Sequence, residues 1–171
     1  DNPHARPFPP ADADPALARF RRWDQVGDGE SVDALGEELR RAMEDYCGVF
    51  RTQEVLDQGV AKVMALRERL ADARLKDHSR LFNTARVEAL ELENLMEIAL
   101  ATVVSAAARH ESRGAHTVDD YADTPEHPNG RNDKEWHKHT LWYSEGNRLD
   151  YKAVNLKPLT AESIPPKVRS F

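Results

Sequence analysis

The run Asn83-Thr84-Ala85-Arg86-Val87-Glu88-Ala89-Leu90-Glu91-Leu92-Glu93-Asn94-Leu95-Met96-Glu97-Ile98-Ala99-Leu100-Ala101-Thr102-Val103-Val104-Ser105-Ala106-Ala107-Ala108 sets the architecture of this chain. Asn83 stands where an N-cap belongs. Val87, Leu90, Leu95, Ile98, Val103 and Val104 recur at helical spacing, with Glu88, Glu91, Glu93 and Glu97 between them. That pattern predicts a helix to about His110, roughly 40 Å long, with the aliphatic residues inward and the Glu row in solvent. From Ala99 to Ala108 the helix is small or apolar all round. A helix without a polar face is covered on several sides. A bundle of only three helices leaves one flank over, so a further surface is expected there.

Two amphipathic helices precede it. Ser31 caps the first, which carries Leu35, Leu39, Ala42, Met43 and Tyr46 and ends near Cys47-Gly48. Thr52 caps the second, predicted to run to about Arg74. Its stripe is Leu56, Val60, Val63, Met64 and Leu70, with Lys62, Arg67, Glu68 and Asp72 opposite. Residues 1–30 hold Pro3, Pro7, Pro9, Pro10 and Pro15 and read as a linker, interrupted by a short helix over about 15–23 that Asp14-Pro15 starts. The fold class is mainly α: an antiparallel three-helix bundle over 31–111, then an extended tail over 112–171 with a small β-hairpin.

The tail holds nine Ile, Leu, Val, Met or Phe residues in 60, against 25 in 80 over 31–110. It is therefore expected to fold against other surfaces rather than around a core of its own. Trp136 to Tyr143, then Glu145-Gly146-Asn147, then Leu149 to Val154 predicts the hairpin, over about 136–154. Residues 122–133, with Pro125, Pro128 and Asn129-Gly130, read as an exposed loop.

The chain has 171 residues, with 24 Lys+Arg against 30 Asp+Glu and a net charge of −6. That balance argues against a nucleic-acid partner, which needs a basic surface. No apolar run approaches a membrane span, so direct insertion is not expected. A single Cys makes neither an internal disulfide nor a multi-Cys zinc site. The chain opens Asp1-Asn2-Pro3-His4 without an initiator Met, which suggests an excised or processed piece.

Few residues carry a chemical motif. No G-x-G-x-x-G or P-loop is present, so no nucleotide cradle is expected. His137 and His139 flank Lys138 and would share one face of a strand. A polar strand face accounts for them better than a metal pair. The Glu row lacks the Glu-x-x-His pairs of a di-iron bundle. Cys47 reads as a packed thiol. In Glu111-Ser112-Arg113-Gly114-Ala115-His116, Gly114 is placed to end the long helix with a positive φ, while Arg113 and His116 reach an anion or cap the last carbonyls.

These strings carry a resemblance. Glu111-Ser112-Arg113-Gly114-Ala115-His116, Asp119-Asp120-Tyr121, Trp136-His137-Lys138-His139-Thr140-Leu141 and Ile164-Pro165-Pro166-Lys167-Val168-Arg169-Ser170-Phe171 look like the C-terminal region of the succinate dehydrogenase and fumarate reductase flavoprotein subunits. Val49-Phe50-Arg51-Thr52 followed by Gly59-Val60 resembles the family's second-helix entry. The resemblance spans most of 31–171. Val118, Arg131-Asn132-Asp133 and Phe171 stand where the family usually has a basic residue, an Arg-Asp-Asp run and a Tyr.

The resemblance implies a parent subunit that oxidises succinate to fumarate and passes electrons from covalent FAD to an iron-sulfur subunit and on to quinone. It implies a place peripheral to the cytoplasmic or matrix side of an energy-coupling membrane. In the family the flavin-binding and catalytic residues precede this region. No catalytic, cofactor-binding or metal residue is carried over here, and the fragment itself is expected to hold no cofactor and to be inactive. Arg113, Gly114, His116, Asp120, Trp136, His139 and Arg169 are expected to be structural, with the upstream flavin domain and the iron-sulfur subunit as partners. The C-terminal region of L-aspartate oxidase and an autonomous helical interaction module are the other two readings.

Overall fold

Each long helix starts on the capping side chain that the sequence offers. The computed structural model describes residues 9–164 and 167; the expectations for residues 1–8 and for Arg169 lie outside them. α1 (Asp14–Arg22) follows a 3₁₀ turn, with Pro15 in its first turn and Asp14 inside the helix rather than capping it. β1 (Glu30–Ser31) leads into α2 (Val32–Cys47), where Ser31 Oγ accepts from the Ala34 N–H at 3.4 Å. Thr52 Oγ1 accepts from the Val55 N–H at 3.2 Å and opens α3 (Gln53–Leu70). After β2 (Ala73–Arg74), Asn83 Oδ1 accepts from the Arg86 N–H at 2.8 Å and opens α4 (Thr84–Ala107). Each bond satisfies an N–H left without a partner in the first helical turn and is worth about 1 kcal/mol.

α3 stops at Leu70, four residues before the expected end. The chain then extends so that Ala73 and Leu75, two positions apart, both enter the core at 1% and 5% exposure. β2 pairs in parallel with β1, Glu30 opposite Ala73 and Ser31 opposite Arg74. The buried row of α3 is Leu56, Gly59, Val63, Leu66 and Leu70, whereas Met64 is exposed.

α4 departs further from its reading. It ends at Ala107 rather than near His110, and it is rotated. The inward residues are Ala89, Leu92, Met96, Ala99, Leu100, Val103, Ala106 and Ala107. Val87, Leu95 and Ile98 are instead 54%, 54% and 65% exposed. Aliphatic residues occupy almost every side of this helix, so periodicity alone does not select a face. The small Ala89 and Ala99 lie on the side that packs against α2 and α3. The Glu row is only half solvated: Glu88 and Glu91 are exposed, but Glu97 pairs with Arg67 at 2.9 Å. Glu93 is held by Arg19, by Arg22 at 2.6 Å and by the Trp23 indole N–H at 3.1 Å. Trp23, just past α1, is 1% exposed and belongs to the same core as Leu35, Leu56 and Leu100.

The tail wraps this bundle. α5 (Asp133–Trp136) is a single turn capped by Asn132. β3 (Lys138–Tyr143) pairs antiparallel with β4 (Arg148–Ala153), from Lys138 opposite Ala153 to Tyr143 opposite Arg148. The hairpin forms as expected but starts two residues later, because Trp136 is spent on α5. His137 consequently precedes the strand and does not share a strand face with His139. β3 lies against α4, and Trp142 and Val118 pack on the core, so part of the covering expected over α4 comes from the chain itself. The 122–133 loop is mostly exposed, with Gly130 as its buried anchor. A Cβ at Gly130 would stand 2.0 Å from Tyr121 O, and its φ is +70°.

In the 171-residue chain, Leu100→Ala is expected to cost about 2–5 kcal/mol, and Ile98→Ala under about 0.5 kcal/mol. Urea unfolding followed by circular dichroism checks this, and equal losses would contradict the rotation of α4.

Candidate functional site

The segment that leaves α4 turns on a carboxylate sealed inside the protein. Glu111 is 0% exposed. Its Oε1 accepts from Arg109 Nε at 2.9 Å and from Arg113 Nε at 2.7 Å. Its Oε2 accepts from Arg113 Nη2 at 3.0 Å and from the Asn132 N–H at 2.9 Å. Four donors thus replace the water that burial removes, as an isolated buried charge requires. The pairing with Arg113 is bidentate, the geometry suited to a planar guanidinium.

Both arginines then reach onward. Arg113 Nη2 also donates to Asp133 Oδ1 at 2.7 Å, and Arg131 meets the other oxygen of Asp133 at 2.9 Å. Burial pushes the Asp133 carboxyl up, but the Arg113 hydrogen bond and the Arg131 and Arg113 charges outweigh it and hold it below the usual range. The Glu111 hydrogen bond raises the Arg113 guanidinium. Arg109 donates to Trp136 O, to Lys138 O at 3.2 Å and to Thr140 Oγ1 at 3.1 Å. One carboxylate therefore joins the end of α4 to α5 and β3.

Three helix ends meet beside the same loop. Gly114, at φ +62°, forms a tight turn in which Arg113 and His116 exchange backbone hydrogen bonds at 2.7 and 3.1 Å. It lies seven residues beyond Ala107, so it makes this turn instead of terminating α4 as expected. Arg51 donates to Gly48 O at 2.7 Å and Cys47 O at 2.9 Å at the end of α2, and to His116 Nδ1 at 3.0 Å. An arginine only donates, so Nδ1 is the acceptor, and Nε2–H donates to Arg109 O at 3.1 Å. His116 is thus fixed as the neutral tautomer. Burial, opposed by the Arg109 carbonyl bond and reinforced by the Arg51 and Arg109 charges, holds its pKa below the ordinary value. Asp120 Oδ2 accepts from the Gln53 N–H at 2.6 Å at the start of α3. Gln53 in turn donates to Ala107 O at 2.8 Å and accepts from the Tyr121 hydroxyl at 3.0 Å.

The structure brings Arg113, Gly114, His116 and Asp120 together around this loop, with Trp136 beside it. The buried Trp136 ring meets His110 and Tyr151 edge-on, with centroids 6.0 and 5.8 Å apart, under the Arg109 and Lys138 cations. His139 stands apart, exposed on β3 opposite Lys152. Burial raises the Cys47 thiol, against the nearby Arg51 charge, which suits a packed side chain. Among the described residues no three His, Cys, Asp or Glu side chains converge as a metal site would require. Glu111, Arg51, Arg109 and Asp133 were not singled out from sequence. The alternation Arg109-x-Glu111-x-Arg113 was the signal available, since an extended segment places those three side chains on one side.

The described fold is an α-helical bundle whose tail is strapped to one end by a buried ionic network. A family model for the fumarate reductase flavoprotein C-terminal region matches residues 36–171, and the chain belongs to that family. It is 45% identical over 160 residues to the succinate dehydrogenase flavoprotein subunit of Coxiella burnetii, covering 94% of this chain and 26% of that protein. With the corresponding subunit of Rickettsia bellii the identity is 44%, covering 91% and 26%. Among solved structures, a mutant of E. coli quinol fumarate reductase matches at a TM-score of 0.75 and 33% identity, over 95% of this chain and 28% of that one. The chain spans about a quarter of the length of the curated relatives it matches.

Because the folded His116 pKa lies below the unfolded value of about 6.5, the unfolded chain takes up that proton first as pH falls. The stability that neutral His116 provides is present above about pH 6.5 and lost below it. His116→Gln is expected to flatten the fall in unfolding free energy between about pH 6.5 and 5, a slope of at most about 1.4 kcal/mol per pH unit. An unchanged slope in urea titrations across this range would contradict the assignment.

Proposed function

We propose that this chain is the C-terminal helical and tail segment of a flavoprotein subunit that oxidises succinate to fumarate and passes electrons from FAD to an iron-sulfur subunit and on to quinone, and that its role there is structural. The names of the relatives at 45% and 44% identity support the activity. The observation that supports the structural role is that the motif side chains are spent on the chain's own helix ends. Both nitrogens of His116 and both oxygens of Glu111 are engaged within the protein.

FAD carries a pyrophosphate and is typically held by a glycine-rich turn at a helix N-terminus. The cleft beside the loop, about 650 Å³, is bordered by Arg113, Asp119, Asp123 and Arg131. Its two guanidiniums are already committed to Asp133, and two further carboxylates line it. These residues do not fit the flavin. On this reading Arg113, His116 and Asp120 hold the end of the bundle, Gly114 forms its turn and Trp136 seats the hairpin. His139, exposed on β3, is left for a surface of the larger subunit. The subunit would sit peripherally on its membrane complex; no described helix is long and apolar enough to cross a membrane.

The purified 171-residue chain is expected to be helical by circular dichroism, colourless in the flavin bands and inactive in succinate oxidation with an artificial electron acceptor. Bound flavin or turnover would move the chemistry into residues assigned here to structure.

A further inference from the structure

We infer that Asn129-Gly130 is a masked site of spontaneous deamidation, closed while the tail is strapped to the bundle and opened when the Glu111 network lets go. The inference is independent of the subunit's activity, and water is the only co-reactant. In an unrestrained chain the Gly130 backbone nitrogen gives up its proton and attacks Asn129 Cγ. A new C–N bond closes a five-membered imide, the Asn129 Cγ–Nδ2 bond breaks, and Nδ2 leaves with that proton as ammonia. Water then opens the imide at one of its two carbonyls. Opening at Cγ leaves aspartate. Opening at the main-chain carbonyl leaves isoaspartate, in which the backbone runs through Cβ and Cγ. Glycine is the following residue that obstructs this attack least, because it has no side chain. Asn129-Gly130 is the one Asn-Gly pair in the sequence.

The fold holds each of these movements back. Asn129 is exposed, so water reaches it, but the attacking nitrogen is occupied: the Gly130 N–H donates to His127 O at 2.8 Å. Ring closure requires that nitrogen to eclipse Asn129 Cβ about the Cα–C bond, one of the two soft torsions of the residue. At φ 57° and ψ 27° the two are turned nearly opposite. Correcting ψ would swing Gly130, which is buried tightly against Tyr121 O and Ser112 Cβ. Its own carbonyl also accepts from the Ser112 N–H at 2.9 Å. On the preceding side, the Asn129 N–H donates to Asp123 Oδ1 at 2.7 Å, and Thr124 and His127 exchange backbone hydrogen bonds at 3.2 and 3.1 Å. Release is set by the carboxylate that places the tail. Ser112 follows Glu111 directly, and the Asn132 N–H, two residues after Gly130, donates to Glu111 Oε2 at 2.9 Å. Both sides of the Gly130 seat are therefore tied to Glu111. Once isoaspartate forms, the backbone between Asn129 Cα and the Gly130 nitrogen is longer by one methylene, and that seat does not take it. A covalent change in the open state makes a reversible opening permanent.

The test follows conversion at residue 129 by peptide mass spectrometry at neutral pH, with fragmentation that separates aspartate from isoaspartate. It compares the folded 171-residue chain, its Glu111→Gln variant and a synthetic peptide spanning residues 124–131. The folded chain is expected to convert at least about tenfold more slowly than the peptide. Glu111→Gln is expected to convert at least about threefold faster than the unaltered chain, while amides at the centres of α2 and α3 keep their exchange protection. Equal rates in the folded chain and the peptide would overturn the masking. A variant as slow as the unaltered chain, or a faster one whose helix centres have also lost protection, would overturn the gating by Glu111. Chain aged in guanidinium chloride and returned to buffer tests the permanence. Molecules carrying isoaspartate at 129 are expected to regain no protection over 112–140, whereas those still carrying Asn129 regain it. Full protection in the isoaspartyl molecules would overturn that part of the inference.

Discussion

The burial of Glu111 is the constraint on which the rest of this structure depends. A carboxylate at 0% exposure is tolerable only if donors surround it, and here they come from Arg109, Arg113 and the backbone of Asn132. Each donor fixes a different element. Arg109 carries the connection to Trp136, Lys138 and Thr140, Arg113 carries it to Asp133, and the Asn132 N–H places the start of α5. A tail poor in aliphatic residues adds charge pairing to the packing of Val118, Tyr121 and Trp142 on the core, where the bundle relies on packing.

The second consequence concerns helix ends. Helices end in carbonyls and begin in N–H groups that lack partners, and two C-terminal ends and one N-terminal end meet near this loop. Arg51 takes the carbonyls of Cys47 and Gly48, Gln53 that of Ala107 and His116 that of Arg109, while Asp120 receives an N–H at the start of α3. The side chains of Arg51, Gln53, His116 and Asp120 are thereby engaged within the chain itself.

Much of this was legible in the sequence, for reasons that differ by element. Ser31, Thr52 and Asn83 announce their helices because a capping side chain acts on its immediate neighbours, and the hairpin is equally local. The face of α4 was not legible. Val87, Leu95 and Ile98 are as aliphatic as Leu92, Met96 and Leu100, and only the approach of α2 and α3 separates the two sets. The early end of α3 had the same cause, since Ala73 and Leu75 enter the core by pairing with a strand 43 residues earlier, Ala73 opposite Glu30. At the site, the string Glu111 to His116 offers roles for Arg113, Gly114 and His116, but none for the Glu111 that heads it. Its importance comes from Asn132 and Asp133, about 20 residues away along the chain.

Hydrogen exchange of Glu111→Gln compared with the unaltered chain tests the account most directly. Gln keeps the shape of the side chain but removes its charge, so the two arginines lose their anionic partner. Amides over 112–140 are expected to lose protection while those at the centres of α2 and α3 keep theirs. Unchanged protection over 112–140, or a uniform loss through the whole bundle, would contradict the claim that one buried carboxylate holds the tail to the helices.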